Sequence, residues 1–393
     1  MFKSTSFSLS SREAKLFLLG FLTLLLELIL IRYLAGSIWN LGYFPNLVLI
    51  AVFVGMGVGF VFHNFVPESI SQWLYMCAPY SLLFLVMFVH ATHPVIPGVN
   101  GWSNSVGGEL YFSSGLAKTN VISYLLFPFW FFSIVLIFIL ISQRTAKIFS
   151  LFSPLKAYTL DIAGSCCGII CFIIASWLHV PAYGWFLLLI PLFISAFDRT
   201  SLFKRVLFYV PLIAVVFIVC YQDTYYFARP GNYEFHKTIW SPYQRVDYIS
   251  SGDTYKEIAV NGIIHQVLFD AGTLEKTFYR LPYVTRKQSG LPAYDKVLII
   301  GAGSGNDVAS ALHYGAGHID AVEIDPVIAE LGRKYHSLAP YQNGAVTVTI
   351  DDGRSFMTHT KQKYDLIIFA LTDSLIKTSP LAQLRLENYL FTK

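Results

Sequence analysis

Charged side chains are scarce in this chain: Asp, Glu, Lys and Arg make up 13% of its 393 residues, about half the share usual in a soluble domain. That shortage excludes water as the solvent for most of the polypeptide. No basic run is present, and a formal net charge of +4 scattered over the length is too weak for a phosphate-tracking surface, so nucleic acid is excluded as a partner. Cysteine is sparse as well. Cys77, Cys166, Cys167, Cys171 and Cys220 all lie inside apolar segments rather than in spaced pairs on loops, which argues against a disulfide framework and against zinc. No metal is expected, and the clustered Cys166, Cys167 and Cys171 read as small packing residues of a membrane helix.

What the chain has in abundance is apolar surface, with 55% hydrophobic residues and a mean hydropathy of +0.55, concentrated before position 223. A spanning helix takes about 20 apolar residues, and seven segments meet or approach that: 14–35, 44–62, 73–90, 121–142, 155–178, 182–197 and 205–221. The first is too long, and too closely followed by others, for a signal peptide. The expected setting is a lipid bilayer, with a multi-pass chain in the cell (inner or plasma) membrane. Lys3, Arg12 and Lys15 precede the first segment, Arg144, Lys147 and Lys156 follow the fourth, and Arg199, Lys204 and Arg205 follow the sixth; the positive-inside rule places all three clusters in the cytoplasm. Seven crossings would then put the C-terminal part outside, whereas the chemistry read below belongs to the cytosol. The expectation is a cytoplasmic soluble domain and a miscount, either at the short sixth segment or within 91–120. Glu27 and Asp161 are costly in lipid and read either as transport or ligand groups or as interhelical hydrogen-bonding groups, while Arg32 is placed to snorkel. Gly55, Gly57 and Gly59, and Gly164 with Gly168, read as flat faces for helix contact.

Past Tyr221 the composition changes, with Asp223, Arg229, Pro230, Gly231 and Asn232 marking a linker. Alternating runs at 244–250, 256–260 and 263–269 predict a small antiparallel sheet, and Asn261-Gly262 between the last two is a strong hairpin signal. An apolar strand at 296–300 then runs into Gly301-Ala302-Gly303-Ser304-Gly305 and a helix through His313. Such glycines bring backbone close to a ligand and set helix amides against it. A second strand at 319–324 carries Glu323 about twenty positions later, the spacing of a ribose-binding carboxylate. A helix from Pro326 to about Tyr335, a strand at 346–350, the turn Asp351-Asp352-Gly353 and a strand at 365–370 complete a doubly wound pattern. Asp352 reads as a ligand contact or a helix cap, and Asp325 equally so, because Asp-Pro also starts helices well.

The stretches Ser241-Pro242-Tyr243-Gln244, Asn261-Gly262 to Gln266, Lys296 through Gly305, Val322-Glu323-Ile324-Asp325-Pro326, Asp352-Gly353, and Tyr364 to Ile368 with Thr372-Asp373 resemble, in order and spacing, the spermidine synthase (polyamine aminopropyltransferase) family, in its membrane-fused branch. That family shares its fold with S-adenosylmethionine-dependent methyltransferases. The implied fold class is a multi-pass α-helical membrane domain (1–222), a linker (223–239), a small antiparallel β domain (240–290) and a Rossmann-like α/β domain of the class I methyltransferase type (291–393), cut short at its C-terminus. The resemblance implies a transferase that binds S-adenosylmethionine or its decarboxylated form and passes an aminopropyl group to a small amine. It sets Gln244 at the sulfonium end, Glu323 at the ribose, Asp352 at the adenine amine and Asp373 as the catalytic acid that binds the amine. Gly301, Gly303, Gly305, Asp325 and Gly353 complete the expected cofactor site.

Two departures qualify the analogy. Ser304 stands where the family carries an aspartate, and Ala370 where it carries the first of two paired acids. Ala370 cannot serve as a base, and the neutral Ser304 suits a cofactor that retains its carboxylate, so methyl transfer is the alternative chemistry. A transporter or sensor with a regulatory or inactive nucleotide-binding domain is a second alternative. The family fold continues for three more strands, so the chain is read either as a fragment or as completed by another subunit of a homo-oligomer. Left uncovered, the edge at 366–369 would be an aggregation hazard.

Overall fold

A computed structural model describes residues 11–38, 45–92, 121–195, 202–226, 235–252 and 255–370. The chain divides into a helical unit and an α/β unit, the latter beginning near Ala228. The stretch 93–120, residues 229–232 and Asp373 fall outside the described residues.

The helical unit has seven apolar helices among the described residues: α1 (Ser11–Ser37), α2 (Pro45–Phe62), α3 (Glu68–Thr92), α4 (Val121–Phe149), α5 (Pro154–Trp177), α6 (Ala182–Ser195) and α7 (Leu202–Tyr221). Five are long and apolar enough to cross a membrane, while α2 and α6 are shorter. Leu16, Leu19, Leu22, Leu26, Ile29 and Leu30 of α1 are fully buried, so α1 is the centre of the bundle. On the outside, Phe53, Phe84, Leu155 and Phe217 are exposed. Pro79, Pro128, Pro191 and Pro211 sit within helices.

Glycines let the helices approach closely. A Cβ at Gly168 would meet Phe21 O of α1 at 3.0 Å, and one at Gly164 would meet Phe21 N at 3.0 Å; Gly20 in turn lies against the Asp161 backbone. On α2, Gly55 and Gly59 face α4 whereas Gly57 faces open space, because positions four apart share a helix face and the position between them does not. Glu27 is buried within α1, and Arg32 lies over the Trp185 ring at 5.6 Å rather than reaching outward alone. At one end of α3 and α4, Arg144 pairs with Glu68, and Ser71 donates to Gln143 Oε1 at 2.6 Å.

In the α/β unit, β1 (Phe235–Trp240), β2 (Arg245–Ser251), β3 (Tyr255–Val260) and β4 (Ile263–Val267) form an antiparallel sheet in chain order. β1 occupies part of the stretch expected as linker, since His236-Lys237-Thr238 gives little apolar signal while its backbone completes the ladder with β2. Asn261 and Gly262 turn the β3–β4 hairpin with φ of 51° and 79°, the paired positive values of a type I′ turn, and Asn261 Oδ1 accepts from Arg245 N at 3.1 Å. After a short helix α8 (Ala271–Leu274) and α9 (Leu281–Gln288) come β5 (Lys296–Ile300), α10 (Asn306–His313), β6 (His318–Glu323), α11 (Pro326–Tyr335), β7 (Val346–Ile350), α12 (Gly353–His359) and β8 (Leu366–Phe369). The last four strands are parallel in the order β7-β6-β5-β8. This order reverses direction between β5 and β8, the switch point at which doubly wound sheets bind ligands.

Three apolar clusters fix the site's frame. Val297, Ile299, Val308, Ile319 and Tyr341 fill one face of the parallel sheet, and Leu298, Ile300 and Val322 the other, under Phe356 and Met357 of α12. The third joins the two sheets: Val246, Tyr248, Ile258 and Val260 pack on Val327, Ile328 and Leu331 of α11, with Tyr248 stacked on Tyr335 at 4.2 Å. Burying these side chains stabilises the junction by about 1.5–3 kcal/mol each, so α11 carries the small sheet on the flank of the parallel one.

Candidate active site at the carboxyl ends of the strands

β5 ends in the glycine bend, where Gly303 and Gly305 have φ of +58° and +104°, conformations that a side chain would strain. Every backbone amide from Gly301 through Gly305 is engaged inside the protein. Gly301 and Ala302 donate to Val322 O at 2.8 and 3.0 Å, and Gly305 donates to Ala302 O at 3.0 Å. Gly303 N donates to Glu323 Oε2 at 2.8 Å, and Ser304 N to Gln266 Oε1 at 2.7 Å. Each of these five amides thus has a partner inside the protein, which sets the bend apart from the phosphate cradles at many helix N-termini.

Around the bend, the Ser304 hydroxyl also donates to Gln266 Oε1 at 2.7 Å, and Tyr341 OH donates to Gly303 O at 2.7 Å. Asn306 ties the two sheets together. Its Nδ2 donates to Val267 O at 2.8 Å, and its Oδ1 accepts from Phe269 N at 3.2 Å and lies 3.1 Å from His336 Nε2. Because Leu338 N donates to His336 Nδ1 at 3.2 Å, that ring carries its proton on Nε2, and burial pushes its pKa down to about 4, keeping it neutral.

Glu323, the last residue of β6, is buried, and its Oε1 accepts from Asp325 N at 2.9 Å. Burial pushes its pKa up to about 7 against the pull of these amides. Asp325 caps α11 by accepting from Val327 N at 3.0 Å and clasps the β1–β2 turn by accepting from Ser241 Oγ at 2.7 Å and Gln244 Nε2 at 3.2 Å; burial raises its pKa, opposed by those bonds. Asp352 caps α12, accepting from Arg354 N at 3.0 Å and Ser355 N at 2.9 Å, with Gly353 the first helical residue. Asp351 N donates to Glu323 O at 3.2 Å and Asp351 Oδ1 accepts from Asp352 N at 2.8 Å, which joins the ends of β6 and β7.

Thus Gln244, Gly301, Gly303, Gly305, Glu323 and Asp325 form one hydrogen-bonded group, with Asp352 and Gly353 adjoining it. Ala370, the last described residue, donates to Ile300 O at 2.9 Å beside the bend. Tyr243 escaped the reading of roles even though its motif did not. Half-exposed, it has its phenol pKa raised by partial burial and by the carboxylates of Asp325, Asp352, Asp351 and Glu323. Gln266 was likewise inside a matched stretch without a role, and its 38-residue separation from Ser304 hides the pairing from any local pattern.

Residues 280–389 match the spermine/spermidine synthase domain. The chain is similar to the polyamine aminopropyltransferases of Thermoplasma acidophilum, with 29% identity over 35% of this chain and 49% of that one, and of Sulfurisphaera tokodaii, with 30% identity over 38% and 51%. That of Buchnera aphidicola is 43% identical over 20% of this chain and 28% of its own. The spermidine synthase from Thermotoga maritima aligns in structure at 22% identity with a TM-score of 0.28, over 35% of this chain and 47% of that one. The chain spans about half the length of the first curated relatives it matches. By sequence, the α/β part of this chain carries a spermine/spermidine synthase domain related to the polyamine aminopropyltransferases.

Proposed function

We propose that this chain is a membrane-anchored transferase of the spermidine synthase type, which binds S-adenosylmethionine or its decarboxylated form and transfers an aminopropyl group to a small amine on the cytoplasmic side. The helical unit is the anchor, in keeping with its five spanning-length helices. The observation that carries the reading is the pairing of an amide-saturated glycine bend with the carboxylates of Glu323, Asp325, Asp351 and Asp352 at the adjoining ends of β6 and β7. A dinucleotide needs free amides for its phosphates; an adenosyl sulfonium has no phosphate and carries positive charge, which acids favour.

The residues fit such a group. Glu323 accepts the amides of Gly303 and Asp325, with Ile324 N–H also against it, and a carboxylate has about four acceptor sites, so capacity remains for a ribose hydroxyl. A Cβ at Gly303 would meet Gln266 Oε1 at 2.6 Å, so the bend holds its shape only as glycine. When bound, the sulfonium supplies an electrophilic carbon and a neutral thioether leaving group. Tyr243 keeps its phenolic proton and offers a hydroxyl at the mouth. Gln244, fixed through Nε2, has its Oε1 as an acceptor for a cation. Asp352 serves the adenine amine and Asp373 the acceptor amine, whose proton must be lost as it attacks.

Methyl transfer is the second reading, favoured by one observation: Ser304 is neutral and wholly taken up by Gln266, so it adds no negative charge against a cofactor carboxylate. Calorimetry of the purified chain with S-adenosylmethionine, its decarboxylated form and NAD tests both. Saturable binding of an adenosyl sulfonium and none of NAD is expected. Binding of neither sulfonium removes the enzymatic reading, and binding without diamine turnover transfers it to methyl transfer.

A further inference from the structure

The α/β unit is electrically polarised. At the carboxyl ends of its parallel strands lie Glu323, Asp325, Asp351 and Asp352; at the amino ends lie Arg286 and Lys287 closing α9, Lys296 opening β5, and Lys361 and Lys363 before β8. β5 and β8 are parallel neighbours, with Val297 opposite Leu366, so the segments leading into them share one edge; Lys296 Nζ reaches Gln362 Oε1 at 3.4 Å. The edge also carries three acids, of which Asp295 and Asp365 are exposed, against five cations. Asp365 accepts from the amides of Asp295 and Lys296, both at 3.0 Å, and Asp320 accepts from Tyr364 OH at 2.8 Å. Lys287, Lys361 and Lys363 are exposed.

Apolar side chains accompany these cations. Leu281 and Leu291 are 56% and 53% exposed at the rim of a shallow cleft of about 410 Å³ shared with Pro282, Arg286 and Tyr294. Arg286 holds the cleft in shape, lying over the Tyr294 ring at 4.1 Å and donating from Nε to Pro292 O at 2.7 Å. Exposed leucines set among lysines are the composition of a surface that meets lipid headgroups.

We propose that this cationic edge, formed by the end of α9 and the segments leading into β5 and β8, docks on an anionic lipid headgroup surface. Docking there turns the acid-lined edge toward the aqueous phase, where a water-soluble amine arrives. The inference rests on the membrane residence proposed above, not on the identity of the cofactor.

The test is amide hydrogen exchange of the full chain in nanodiscs of phosphatidylcholine alone or mixed with phosphatidylglycerol. Exchange over 286–295 and 360–365 is expected to slow in the anionic discs and to recover in high salt, while exchange over 323–328 and 351–355 stays the same. A lysine at an anionic surface contributes about fivefold in partitioning, so a Lys287→Glu, Lys361→Glu, Lys363→Glu variant should lose the protection. Equal exchange in both lipids overturns the proposal, as does protection that persists in phosphatidylcholine, which would mark a protein contact instead. Calorimetry with S-adenosylmethionine on the same variant is expected to be unchanged, which separates failure of docking from failure of the proposed cofactor site.

Discussion

The same residue type does opposite work in the two units. In the helical unit, Gly20, Gly164 and Gly168 keep helical geometry, and their missing side chains let α1 and α5 touch backbone to backbone. In the α/β unit, Gly303 and Gly305 adopt positive φ, and the missing Cβ at Gly303 makes room for Gln266. The first use needs smallness and tolerates no bulk; the second needs a backbone conformation that most residues avoid. Equal composition therefore says nothing about equal role until the backbone is known.

That contrast is sharpest under substitution. Gly303→Val adds a β-branched side chain at φ +58° and drives it into Gln266, so strain and overpacking together should cost about 4 kcal/mol. Lowered thermal stability of the α/β unit and loss of adenosyl binding, with the helical content unchanged, are expected in calorimetry and circular dichroism. Gly164→Leu should cost about 3 kcal/mol in the bundle, read as a lowered unfolding temperature in detergent with adenosyl affinity retained. If Gly164→Leu abolished binding and Gly303→Val did not, the division of labour would be reversed.

A third experiment separates two buried titrating groups of the α/β unit by pH. Glu323 titrates near 7 in the fold, above its ordinary 4.5, so the folded state holds a proton that the unfolded state releases, and this contribution to stability falls as pH rises from about 4.5 to 7. His336 titrates near 4, below its ordinary 6.5, so its contribution is present above 6.5 and falls as pH drops toward 4. Each is worth on the order of 2–3 kcal/mol, with opposite sign over the shared range, and the wild-type profile should be nearly flat there. Glu323→Gln should remove the opposing contribution, with denaturant midpoints dropping more steeply than in the wild type on acidification from pH 6.5 to 4.5; an unchanged profile would refute the assignment.

Much of the frame was legible because its signals are local. The apolar run at 296–300 announced β5, Asp325-Pro326 announced the start of α11, and Asn261-Gly262 announced the hairpin. β1 escaped because a strand with Lys237 and Thr238 on its ladder is recognisable only beside β2. At the site, Gln244, Gly303, Glu323 and Asp325 meet in one hydrogen-bonded network. Their jobs did not follow from type: Asp325 acts as cap and clasp at once, and the bend amides turn inward, because hydrogen-bond direction is settled by Gln266 and Glu323, residues distant in sequence.

The packing of α11 on the small sheet also sets a schedule for synthesis. Val246, Tyr248, Ile258 and Val260 leave the ribosome roughly seventy residues ahead of Val327, Ile328 and Leu331, which cover them. At about 5–20 residues per second the hairpin sheet waits several seconds with its oily face bare. Its edge strands and apolar face are then open to whatever binds nascent chains.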